Sequence, residues 1–108
     1  MLDPQMKRGI LDVCVLSVLC RGDSYGYRII KDLTGCIKIS QSTLYPILRR
    51  LEASGCLTTY SVAHNGRLRK FYSVTQAGRA QVEAFLQSWP ELAAMHDFIE
   101  GSVENDEA

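Results

Sequence analysis

The pair Asn65-Gly66 constrains this chain more than any other two residues. It lies between two runs rich in β-forming residues, Leu57–His64 and Arg67–Val74. Asn-Gly best tolerates the two positive-φ positions of a type I′ turn, whose twist matches that of paired strands. A two-residue turn also fixes register. Leu57 then faces Val74 and Thr59 faces Tyr72 on one side of the hairpin, and Tyr60 and Phe71 share the other. Just before the hairpin, Leu44, Ile47, Leu48 and Leu51 follow the i, i+3, i+4, i+7 spacing of an amphipathic helix. That helix is expected over Ser40 to Ser54, capped by Ser40 and terminated by Gly55. Pro46 falls inside it and leaves the Ser42 carbonyl without its usual donor.

The flanking segments read as three more helices. The first runs from Pro4 or Gln5 to Cys20, and its centre, ILDVCVLSVLC, is apolar nearly all round. That is more apolar surface than a domain of 108 residues needs for itself, which points to a second subunit on the far side. A second helix is expected after Asp23 or Ser24 as N-cap, ending at Gly35, with Gly26, Ile29, Ile30 and Leu33 inward and Gly26 permitting a close crossing. Cys36 to Ile39 reads as an extended connector, a candidate brief strand beside the hairpin. The last helix starts after Thr75. Gly78, Val82, Phe85, Trp89, Leu92, His96, Ile99 and Val103 alternate spacings of four and three, the seam of a coiled coil. Pro90 interrupts it, and a kink or break is expected near Ser88–Trp89. The expected organisation is a domain over 1–75, a dimerisation helix over 76–101 and a frayed acidic tail over 102–108.

Helix, helix, helix, hairpin and a further helix is the order of a winged helix-turn-helix with an appended dimerisation helix, a mainly α fold with a small β-hairpin. The charge distribution agrees with a nucleic-acid partner. Through Thr75 there are eleven Lys and Arg against five Asp and Glu, a net +6; from Gln76 onward there is one Arg against seven acids, a net −6. Phosphate binding requires a local basic surface, not a basic chain. Ile10 to Cys20, the longest apolar candidate, contains Asp12 and falls short of the roughly 18 residues that span a bilayer. The opening MLDPQMKRG has no cleavage-site pattern, so a cytoplasmic protein is expected. Cysteines at 14, 20, 36 and 56 form no C-x-x-C pair, and the only histidines are 64 and 96. Reduced cysteines acting as small hydrophobes are therefore expected, with no metal or cofactor site. No catalytic constellation or phosphate-cradling glycine loop is present.

Candidate DNA contacts follow from position. Gln41, Ser42, Thr43 and Tyr45 begin the third helix, where short or planar polar groups meet base edges in the major groove. Arg49 and Arg50 lie one to two turns later, at phosphate distance. The hairpin tip offers His64, Asn65 and Arg67, backed by Arg69 and Lys70. Tyr25, with Tyr27 and Arg28, adds phosphate donors at the start of the second helix. Bland alternatives stand beside these: helix capping for Ser40 to Thr43, packing for Tyr45 and Tyr27, a solvated turn for the hairpin tip. In the last helix, Val82, Phe85, Trp89, Leu92, His96 and Ile99 are the candidate dimer interface. Trp89, Phe85 and Leu92, with Met6, Ile10 and Val13 of the first helix, are the candidate ligand wall; the alternative for Trp89 is a dimer core with no ligand.

Three motifs extend the reading: Ser24-Tyr25-Gly26-Tyr27-Arg28-Ile29-Ile30; Thr43-Leu44-Tyr45-Pro46-Ile47-Leu48-Arg49-Arg50-Leu51-Glu52-Ala53-Ser54-Gly55; and Arg69-Lys70-Phe71-Tyr72-Ser73-Val74-Thr75-Gln76-Ala77-Gly78. With these, residues 6 to 100 resemble the PadR-like family of winged-helix regulators, in its small subfamily with a single C-terminal helix. The resemblance implies a homodimeric transcription factor, most often a repressor, acting on a pseudo-palindromic operator in double-stranded DNA. It also implies a small aromatic effector near Trp89, since some small members stack flat drugs on a tryptophan at that place. The chain departs from those members after Trp89, where Pro90 follows and Ala93 provides no carboxylate one turn on. Two other readings are a constitutive repressor without a ligand and a winged-helix module for protein interaction.

Overall fold

The computed structural model describes residues 3–106. Four helices and one hairpin follow in order: α1 (Pro4–Cys20), α2 (Gly26–Leu33), α3 (Gln41–Ala53), β1 (Leu57–His64), β2 (Arg67–Val74) and α4 (Gln76–Asp106). Asp3 caps α1, its carboxylate accepting from the Gln5 N–H at 2.9 Å, and Pro4 occupies the first turn, where no N–H is needed. Ser40 caps α3 through the Thr43 N–H, and Gly55 ends it with φ +82°.

The core forms where α1, α2 and α3 cross over the root of the hairpin. Val15, Leu16 and Leu19 of α1, Ile29 and Leu33 of α2, and Leu44, Leu48 and Leu51 of α3 are buried together with Leu57 and Tyr72. Each such aliphatic side chain contributes about 1.5–3 kcal/mol on burial. The strands pair antiparallel in the expected register, Leu57 with Val74 and Thr59 with Tyr72. Asn65 and Gly66 both have positive φ, 51° and 77°, as a type I′ turn requires. Thr75 closes the root: its hydroxyl donates to the Gly55 carbonyl at 2.7 Å, its N–H donates to Cys56, and its Oγ1 accepts from the Gly78 N–H as the cap of α4. Gly78 is buried at this junction, and a Cβ there would lie 2.5 Å from the Cys56 carbonyl oxygen.

Four expectations need correction. The N-cap of α2 is Tyr25, with no side-chain cap bond, rather than Asp23 or Ser24. Ser24 is instead drawn into a backbone bridge with Tyr72, accepting from its N–H at 2.7 Å, and Asp23 accepts from the Tyr60 hydroxyl at 2.7 Å. Gly35 is not in the left-handed region; α2 ends in a turn whose Cys36 and Ile37 N–H groups both donate to Leu33. Residues 37–40 carry no strand, and the third strand-like contact beside the hairpin is Ser24. Finally, α4 is continuous through Pro90 and runs on through Ser102 to Asp106, where a break and a frayed tail were expected. Pro90 costs the helix one hydrogen bond, to the Leu86 carbonyl, in a segment where Leu86 and Trp89 are both solvent-exposed. Water satisfies such a carbonyl, so the helix continues.

Candidate nucleic-acid interface

Three elements converge on one surface beside the core. Tyr25, Gly26 and Tyr27 of the α2 start, Tyr45 of α3, and Arg69, Lys70 and Tyr72 of β2 line an open depression of about 430 Å³. The approach of α2 and α3 is close because position 26 is glycine: a Cβ there would lie 2.6 Å from the Tyr45 hydroxyl. Tyr27 is exposed, which excludes the core alternative for it.

Aromatic packing fixes the hairpin against α2. Tyr60 stacks on Phe71 with centroids 5.6 Å apart, and Phe71 meets the Tyr25 ring edge-on at 5.4 Å. The Arg69 guanidinium lies over the Tyr25 ring at 4.1 Å. Its charge is thereby aimed from a rigid platform, at less cost in side-chain entropy when it pairs. The hydrogen bond to Asp23, with the negative charge of that carboxylate, raises the pKa of the Tyr60 phenol.

The predicted contacts separate into two groups. Gln41, Ser42 and Thr43 are exposed at the start of α3, with Arg49 exposed further along. Ser40, Ser42 and Thr43 also share hydroxyl hydrogen bonds of 2.8 and 3.2 Å, so capping is real for this turn. His64, Asn65 and Arg67 are exposed at the hairpin tip, together with Leu68. Arg50 is different. Its guanidinium is ion-paired and hydrogen-bonded to Asp12 of α1, in a half-buried setting. Lys70 is partly neutralised by Glu52, 4.0 Å away. The Arg50 pairing had one sequence signal, an acid isolated in the apolar run of α1, because such an acid recruits a cation.

The candidate ligand wall divides as well. Ile10, Val13 and Phe85 line a groove of about 280 Å³ between α1, the end of α2 and α4, together with Cys14, Cys36, Val82 and Leu86. Met6, Trp89 and Leu92 lie outside it, 62%, 57% and 45% exposed. Trp89 touches only the edge of this site through Phe85, at a centroid distance of 6.4 Å. Of the seam, Gly78, Val82 and Phe85 are covered, whereas Trp89, Leu92, His96, Ile99 and Val103 are open. His96, Asp97 and Glu100 form an exposed cluster with donor atoms within 4.8 Å of one another, a grouping absent from the sequence reading. Among the described residues no helix is long and apolar enough to cross a membrane.

The fold and this surface define a winged helix-turn-helix protein with a long helical appendage. Residues 15–84 match the model of the transcriptional regulator PadR-like family. An uncharacterised protein of Lysinibacillus sphaericus is 31% identical over 94% of this chain and 98% of its own length. A PadR-family transcriptional regulator from Eggerthella lenta superposes with a TM-score of 0.79 at 33% identity, covering 88% of this chain and 85% of its own. Bacillus subtilis PadR, whose structure is in complex with operator DNA, shares the fold with a TM-score of 0.67 at 23% identity, over 71% of this chain and 46% of that one. The chain belongs to the PadR-like family of transcriptional regulators, and is not an enzyme.

Proposed function

We propose that the protein is a homodimeric repressor that reads a pseudo-palindromic operator in double-stranded DNA. The observation that carries this reading is the convergence of the α2 start, α3 and the hairpin on one tyrosine- and cation-lined surface. In the proposed complex α3 enters the major groove with Gln41, Ser42, Thr43 and Tyr45 leading. Arg49 meets phosphate, and Arg67, Arg69 and Lys70 follow the backbone or the adjacent minor groove. Arg50 is a structural residue in this scheme, since its charge is satisfied by Asp12. The operator complex of Bacillus subtilis PadR supports the assignment by analogy of fold.

Dimerisation is assigned to α4. Trp89, Leu92, Ile99 and Val103 continue the stripe begun by Val82 and Phe85 but find no cover within the chain. A second copy supplies it and sets the spacing of the two recognition helices, which must be roughly 34–36 Å to reach successive major grooves. A small aromatic effector fits the same region. The groove of about 280 Å³ is at the small end for a ligand site within one protomer. Trp89 and Met6 join its wall only if the partner's helix closes it, which ties ligand binding to dimer geometry. A few kcal/mol of preference for one geometry is enough to release DNA.

The test is a titration of the protein against the duplex upstream of its own gene at two salt concentrations. A variant with Arg67, Arg69 and Lys70 all changed to Ala is run alongside. Tight binding that weakens steeply with salt, with a shallower salt slope in the variant, supports the reading. Equal, salt-insensitive binding by both proteins contradicts it.

A further inference from the structure

Cys14, half-buried on α1, and Cys36, exposed in the turn after α2, both line the groove against α4. Their thiols share a hydrogen bond; burial first, then this contact, holds the Cys14 pKa above its ordinary value. The other two cysteines have different surroundings. Cys56 is buried and donates to the Gln81 amide oxygen at 3.3 Å, and Cys20 lies half-buried outside the groove.

We propose that Cys14 and Cys36 are a reversible modification site, converted by peroxide-class oxidants into an intrachain disulfide on the wall of the α1–α4 groove. Two thiols already in hydrogen-bond contact need side-chain rotation, not refolding, to reach bonding geometry. Their roles follow from exposure. The accessible Cys36 thiolate attacks one peroxide oxygen, giving a sulfenic acid and one water. Cys14, kept protonated by burial, then attacks the Cys36 sulfur. The S–O bond breaks, the S–S bond forms, and a second water leaves with the Cys14 proton. Overall, two thiols lose two electrons and the peroxide is reduced to two waters. The bridge ties α1 to the connector that leads to Ser40, the cap of α3. Sequence spacing concealed the pair, because the two cysteines belong to different elements and meet only through the packing of α2 on α1.

The test treats the reduced full chain with hydrogen peroxide and follows intact mass, free thiols, cross-linked peptides and thermal unfolding. The expected product is a single chain about 2 Da lighter, with Cys14 and Cys36 linked, and dithiothreitol reverses it. Cys14→Ser and Cys36→Ser each abolish that product, and Cys20→Ser retains it. The bridged chain melts at a higher temperature than the reduced chain. A stable oxidised Cys36 with Cys14 still alkylatable would overturn the proposal. So would a bridge between subunits, or a bridged chain that melts lower. None of these readouts involves DNA, so the outcome is independent of the regulator reading.

Discussion

Neighbouring arginines on α3 have opposite surroundings. Arg49 is exposed, whereas Arg50 reaches back to Asp12. Arg49→Ala should therefore weaken duplex binding and leave the melting temperature unchanged. Arg50→Ala should leave the intrinsic DNA contacts intact and cost about 1–3 kcal/mol of stability, because Asp12 is left largely buried without a partner. Denaturant unfolding and DNA titration of both variants separate the two roles; the reverse assignment of losses would contradict them. Nothing local in the sequence distinguishes positions 49 and 50, since the difference rests on an acid 38 residues away. Tyr60 offers a pH test. The Asp23 hydrogen bond raises its pKa, so the stabilisation it provides is intact below the ordinary tyrosine value of 10.0 and is lost as pH rises through the raised value. Asp23→Asn should bring the Tyr60 titration, followed by phenolate absorbance, back toward 10.0.

Elements whose signals are local were legible in the sequence. The hairpin follows from Asn65-Gly66 and alternation, and α3 from its stripe, its Ser40 cap and Gly55. The start of α2 was misread because Ser24 is engaged by Tyr72, a contact 48 residues away that no capping rule anticipates. Pro90 was read as a break because proline penalties assume a helix that must satisfy every carbonyl internally. Here the affected turn is wet. Pro90→Ala should restore the missing bond and raise the stability of α4 by about 1–3 kcal/mol, visible as a higher melting temperature. The open half of α4 carries a second expectation. Ile99→Glu places a charge in the proposed seam, and sedimentation should show a dimer for the native chain and a monomer for the variant. A native chain that sediments as a monomer would remove the role assigned to α4.

The whole molecule is elongated, 67 × 26 × 21 Å, because α4 projects from the compact head formed by the other elements. Charge follows that shape: the head and hairpin carry the +6 and α4 with its tail the −6. An acidic appendage cannot lie along DNA, so the basic head must approach it with α4 directed away. In a two-fold dimer joined through α4, that orientation presents two copies of α3 and two hairpins to one side of a duplex. The sequence carried this arrangement only as periodicity and charge asymmetry; the surface uniting Tyr25, Tyr45 and Arg69 required the packing. The measurement that tests it most directly is a hydroxyl-radical footprint of the protein on the duplex upstream of its gene. The account predicts two protected patches on one face of the DNA, about one helical turn apart between centres, each flanked by weaker protection that disappears when Arg67, Arg69 and Lys70 are changed to Ala. A single protected patch, or protection unchanged by those substitutions, would contradict it.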